Sequence, residues 1–182
     1  MGIISKSSLN SIKDSAVRTK TYSWLNESVN ARSRLKRYGE VTVFLSHKHD
    51  EKAELENAIA FLNSLGVSVY VDWLDEGMPK TTSGVTAAKI KNKIKEKDKF
   101  VFLATEGAIS SKWCNWELGF GDAQKYINHI AILPVKENYQ DYTGSEYFQI
   151  YPYIYESDSS RGTYYVKFPN GDVKNLIDWL KS

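Results

Sequence analysis

One cysteine, Cys114, stands in 182 residues, so no intrachain disulfide can form and a reducing compartment is expected. No run of roughly 18 consecutive apolar residues occurs, which excludes a helical membrane span by the usual length argument. The start, Met1-Gly2-Ile3-Ile4-Ser5-Lys6, lacks the long apolar core of a signal peptide, and a cytoplasmic location is expected. Gly2 and Ser7 only graze a myristoylation pattern. Internal repeats and low-complexity tracts are absent as well.

What is present is the composition of an ordinary globular domain, 42% hydrophobic and 25% charged. A chain of this size buries about 70% of its unfolded surface, enough for a core without covalent staples. Charge is uneven. Residues 1–40 hold eight Lys/Arg against three Asp/Glu, and the remainder sixteen against nineteen. The basic arm lacks regularly interleaved stacking aromatics, so a solvated flank is expected rather than a nucleic-acid surface.

Taken in order, residues 1–39 read as a basic N-terminal extension with weak periodicity at Leu9, Ile12 and Val17, which allows a short helix, and it either docks on the domain or stays loosely ordered. A domain begins at the apolar run Val41–Leu45, which suits a strand buried on both faces. Leu55, Ile59, Leu62 and Leu65 mark a helix closed by Gly66, and Val67–Val71 is the next strand. Asp72–Thr82 contains Gly and Pro and reads as a long loop. Ala87, Ile90 and Ile94 mark a helix whose lysines (89 to 99, every second residue) read as a solvated face. Phe100–Ala104 and Ile130–Val135 are further strands, separated by a helix over about 110–126. A short edge strand is expected near Ile150–Tyr155 in a tyrosine-rich region. Residues 156–182 read as a strand at 164–168, a turn at Pro169–Asp172 and a helix over Val173–Lys181 with Leu176, Ile177 and Leu180 inward, packing on the same domain.

Alternation of apolar strands with helices implies a parallel sheet covered on both faces. Ligands bind such sheets beyond the C-terminal strand ends. That edge gathers Ser46–Asp50, Asp72–Lys80 and the start of the 110–126 helix, where Ser110 or Ser111 is the expected cap. Trp113 and Glu117 lie one turn apart on that helix, and Trp116 and Phe120 form a second pair beside them. Two arrangements suit this pattern. Glu117 is either buried among rings, with a raised pKa, or solvated at the helix rim while the tryptophans fill the core.

Several chemistries compete at this edge. His47-x-His49 suits a metal, but three or four ligands are needed and the remaining histidine, His129, belongs to the opposite edge. Cys114 with His47 lacks an orienting third group, so Cys114 reads as a buried filler. Gly119-x-Gly121 sits inside a helix and is no dinucleotide fingerprint; a close approach of backbone or ligand is the better reading. A phospho-acceptor receiver needs an aspartate where Ala104-Thr105-Glu106 stands, so that reading fails. Cleavage of the N-glycosidic bond of a nicotinamide nucleotide needs only one well-placed carboxylate. Its leaving group is already cationic, and positive charge grows on the ribose.

Val43-Phe44-Leu45-Ser46-His47 with Asp50, then Val69-Tyr70-Val71-Asp72, then Ser111-Lys112-Trp113-Cys114-Asn115-Trp116-Glu117-Leu118 together resemble a TIR (Toll/interleukin-1 receptor) domain over roughly residues 40–155. The resemblance implies an α/β, flavodoxin-like, doubly wound parallel sheet of order 2-1-3-4-5 with helices on both faces. It implies cleavage of NAD to nicotinamide and ADP-ribose or a cyclic isomer, NAD being substrate with no further cofactor and no metal. Glu117 would be the catalytic carboxylate and Trp113 a substrate contact. Ser46 and His47 would line the nicotinamide-ribose side, Trp73 to Lys80 would form the gating loop, and Asp72, Trp73 and Lys80 would join the substrate contacts. The acids usual just after the position of Asp72 are delayed here to Asp75-Glu76. The nearly bare domain resembles stand-alone bacterial members of antiphage systems such as Thoeris, whose signal a separate effector reads. Self-association through TIR–TIR contacts is implied too. The alternative is a non-catalytic adaptor acting through such assembly. A nucleoside deoxyribosyltransferase would need a further carboxylate at the base.

Overall fold

The computed structural model describes residues 4–18, 40–75, 77–79, 81, 83–136 and 149–182, with the side chains of 16–18, 73 and 136 outside that description. Its elements are β1 (Ile4–Ser5), α1 (Lys6–Arg18), β2 (Thr42–Ser46), α2 (Lys52–Ser64), β3 (Ser68–Tyr70), α3 (Gly84–Glu96), β4 (Lys99–Ala104), α4 (Glu106–Ser110), α5 (Lys112–Lys125), β5 (Ile130–Lys136), β6 (Tyr153–Glu156), β7 (Tyr164–Lys167), β8 (Val173–Asn175) and α6 (Leu176–Lys181). The sheet runs β3-β2-β4-β5-β6-β7-β8, with β1 added beside β5. Its β3-β2-β4-β5-β6 portion is the expected 2-1-3-4-5 order, all parallel.

Strand alternation sorts the side chains into two cores. Val43, Leu45, Val101 and Leu103 face α1, α2 and α6, whereas Phe44, Phe100 and Phe102 face α3 and α5. Ser46 is in phase with Phe44, so it sits on the α5 side at the end of β2. α2 stops where expected: Gly66 takes φ +81, a conformation that disfavours side chains with a Cβ.

Three expectations need correction. The strand near 150–155 is not an edge, because β7 pairs antiparallel with β6 and β8 with β7. Residues 173–175 form β8 rather than helix, since Asn175 caps α6 by accepting from the Ile177 N–H at 2.9 Å. That late start turns Ile177 outward, 40% exposed, and brings Trp179 inward with Leu176 and Leu180. The described part of the extension takes the docked alternative: Ile4 and Leu9 are fully buried, β1 pairs with the end of β5, and Lys13 reaches Glu56 on α2. Trp24, Leu25, Leu35 and the tyrosines at 139, 142 and 147 lie outside the described residues.

Candidate active site

Helix α5 opens at Ser111, whose hydroxyl accepts from the Cys114 N–H at 3.3 Å. Its buried stripe is Cys114, Glu117, Leu118, Gly121 and Lys125, the three-and-four spacing of a helix face. This decides between the two arrangements left open by the sequence. Glu117 lies in the stripe, 3% exposed, while Trp113 and Trp116 are half-buried at its margin, their rings 4.8 Å apart. The glutamate is inside and the tryptophans are at the rim.

Parallel pairing then delivers Ser46 to this carboxyl. The Ser46 hydroxyl donates to Glu117 Oε2 at 2.6 Å. Burial pushes the Glu117 pKa up to about 8, the negative charge of Asp72 adds to the effect, and hydrogen bonds from Ser46 and Trp113 oppose it. Burial therefore favours the protonated form of Glu117 in the free protein.

Asp72 closes the site from the neighbouring strand end. It is 5% exposed and begins the short 3-10 turn Asp72–Leu74. Its Oδ2 lies 3.1 Å from His49 Nε2, and its Oδ1 lies 3.9 Å from His47 Nδ1. His47 is buried. Its Nδ1 contacts the Leu45 carbonyl at 3.2 Å, and Nε2 has no partner among the described residues. Burial lowers its pKa to about 4, so the ring is neutral. The His49 pKa is raised, chiefly by its hydrogen bond to Asp72.

A cleft of about 370 Å³ opens above these groups, walled by His47, His49, Asp72, Met78, Ser111 and Trp113 among others. Ser46 and Glu117 do not line it; they form the layer beneath. Cys114 is at the wall, but its thiol donates to the His47 carbonyl at 3.2 Å and burial raises its pKa to about 11. A neutral thiol engaged in this way is no nucleophile.

Of the residues expected at the site, Ser46, His47, Asp72, Trp113 and Glu117 come together. Lys80 and the side chain of Trp73 lie outside the described residues. The delayed acid Asp75 organises its own loop: its carboxylate accepts from the Tyr70 hydroxyl and the Gly77 N–H, both at 2.9 Å. Sequence reasoning missed His49 as the partner of Asp72, because the two lie on different strand ends. It also missed the use of the α3 lysines. Lys91 lies over the rings of Trp116 and Phe120 at 5.6 and 5.3 Å, and Lys89 donates to the Gly77 carbonyl at 2.6 Å. That face is a clamp on the aromatic margin and the loop, not a freely solvated surface. The close approach expected around Gly119-x-Gly121 is made at Gly121 alone, by the Phe100 ring, where an added Cβ would sit 3.0 Å from it.

The TIR domain family model matches residues 43–171. A protein of Bacillus cereus (strain MSX-D12), provisionally named 3' cyclic ADP-D-ribose synthase ThsB', is 34% identical over 116 residues, 62% of this chain and 59% of its own length. A second, from Cytobacillus dafuensis, provisionally named cyclic ADP-D-ribose synthase TIR2, is 27% identical over 81 residues, 43% of this chain and 21% of its own length. The matched part thus spans less than two thirds of either relative. With the family model covering most of the chain, and with the sheet order and strand-end cleft in place, the protein belongs to the TIR domain family.

Proposed function

We propose that this TIR domain cleaves the nicotinamide N-glycosidic bond of NAD and releases a cyclic ADP-ribose signal in antiphage defence. The observation that carries the reading is the buried Glu117 carboxyl, gripped by Ser46 beneath a strand-end cleft. Both relatives' names, as cyclic ADP-D-ribose synthases, support it. In the reaction the bond between ribose C1′ and the nicotinamide nitrogen breaks, and its electron pair neutralises the departing ring. Ionised Glu117 faces the positive charge left on the ribose, in a site where burial magnifies that attraction. A second nucleophile of the same molecule attacks C1′ and closes the cycle, losing its proton if it is a hydroxyl. Water taking its place gives linear ADP-ribose. Trp113, at the cleft wall, is suited to stack on a base and to exclude water. No separate cofactor or resident metal is required by this chemistry.

The wider setting follows from the same reading: a cytoplasmic enzyme that assembles through TIR–TIR contacts, with a separate effector protein receiving the signal. A pure adaptor has no use for a buried carboxyl beneath a cleft, so the catalytic reading is preferred. Incubation with NAD and mass analysis of the products tests it. Wild type should release nicotinamide together with a product one water lighter than ADP-ribose. Glu117→Gln should lose at least about 10²-fold in rate, as removal of a charge-stabilising group does, while keeping its fold by circular dichroism. Absence of turnover at high protein concentration, with assembly promoted by crowding, overturns the proposal.

A further inference from the structure

His47-x-His49 falls one ligand short of a metal site in the sequence, and the fold supplies the missing donor. Asp72, from the adjacent strand end, brings its carboxylate to both rings. One nitrogen of each ring and one carboxylate oxygen lie within 4.8 Å of one another. The His49 Nε2 to Asp72 Oδ2 separation is 3.1 Å, and the two rings are 5.3 Å apart between centroids. In a tetrahedral zinc site with bonds of about 2.0–2.1 Å, neighbouring donor atoms stand about 3.3 Å apart. One pair already meets that spacing. His49, whose side chain is 57% exposed, can swing to meet the ion, and His47 Nδ1, 3.9 Å from Asp72 Oδ1, has about 0.6 Å left to close.

His47 is the buried member of this set. The ring is buried, its Nδ1 rests on the Leu45 carbonyl, and Nε2 has no partner among the described residues. The nitrogen of His47 that approaches Asp72 is Nδ1, 3.9 Å from Oδ1, so the ion takes Nδ1 in exchange for the Leu45 carbonyl.

We propose that His47, His49 and Asp72 form a binding site for a divalent transition-metal ion, zinc above all, with its remaining coordination position open to the cleft. Two imidazoles and one carboxylate favour zinc, cobalt or nickel over magnesium and calcium, which prefer all-oxygen shells. The ion is an inhibitor rather than a cofactor. It occupies the wall against which the ribose end of NAD is placed, so metal and substrate exclude one another. That exclusion rests on the NAD reading; the binding itself does not.

Calorimetric titration of the untagged full chain with zinc chloride tests the site, with cobalt absorption reporting tetrahedral geometry. Wild type should bind one ion with a Kd in the micromolar range or tighter, and His49→Ala should weaken it by at least about tenfold. Because His49 is largely exposed, that variant keeps the fold. His129→Ala, at the opposite sheet edge, should bind as wild type does. Zinc should also raise KM for NAD at unchanged kcat in wild type, and less so in His49→Ala. Absence of saturable zinc binding below about 100 μM, or equal binding by His49→Ala, overturns the proposal whether or not NAD is turned over.

Discussion

The two ends of the sheet bury charge in opposite ways. At the C-terminal edge Asp72 and Glu117 bring two carboxyls close together, and the Nε2 of His47 beside them lacks a partner among the described residues. At the N-terminal edge Lys99 and Lys125 are buried instead. Lys99 Nζ donates to His129 Nδ1 at 3.1 Å and to the Ser182 carbonyl at 2.9 Å, and it lies 4.8 Å from the centre of the Trp179 ring. Lys125 donates to the Lys97 carbonyl. The lower cluster is closed upon itself, with backbone and ring acceptors receiving each donor. The upper one opens to a cleft and keeps an unmet valence. Buried charge is thus met locally at one edge and left incomplete beside a cavity at the other, and only the second arrangement suits a ligand site.

The largest effect that can break this comparison is the pH dependence of turnover. With the Glu117 pKa at about 8 and the ionised form required, kcat/KM for NAD should fall about tenfold per pH unit below that value. Asp72→Asn removes the second cause of the shift and should move the inflection to lower pH. It should still lie above the ordinary 4.5, because burial is the larger cause. A profile flat from pH 6 to 9 would show that Glu117 does not act as a carboxylate. Stability runs the other way. The folded state holds the Glu117 proton more tightly than the unfolded chain does. Its contribution is therefore complete below pH 4.5 and lost as pH rises to about 8. Glu117→Gln should gain on wild type across that window in thermal melts.

Next in size is Lys99→Met. It strips two acceptors of their donor and should cost about 1–3 kcal/mol in denaturant unfolding, with nicotinamide release unchanged. Burial lowers the Lys99 pKa from 10.5 to about 8, so the folded state pays for the charged form below pH 8. Wild type should gain on the variant as pH rises from 8 toward 10.5. Lost turnover in a folded Lys99→Met protein would abolish the distinction between the two edges.

The smallest effects separate two glycines of α5. Gly121→Ala meets the Phe100 ring and should cost about 1–2 kcal/mol. Gly119→Ala meets open space and should gain up to about 1 kcal/mol from helix propensity. Measured by thermal unfolding, equal shifts would show that the Phe100 contact yields freely.

Much of the fold was legible because local rules and tertiary structure agree in it. Apolar runs became the parallel strands, Ser111 capped α5 and Gly66 ended α2, each for reasons contained within a few residues. The role of the tyrosine-rich C-terminal part was not legible. Whether Tyr153–Glu156 is an edge or an interior strand depends on whether β7 comes back to pair with it, and no local pattern carries that information. Ile177 was misassigned because one side-chain cap, Asn175, moved the helix start by three residues.

The sequence by itself determined the alternation of strands and helices, the helix phase that sets Trp113 and Glu117 one turn apart, and the family to which the chain belongs. Only the tertiary structure decided that Glu117 points inward and the tryptophans flank it, since a helix period fixes which residues share a face and not which face is buried. It alone joined Ser46 to Glu117 across 71 positions and Asp72 to His49 across 23. The first arises from the packing of α5 on the sheet and the second from the parallel register of β2 with β3, and both are properties of pairs of elements.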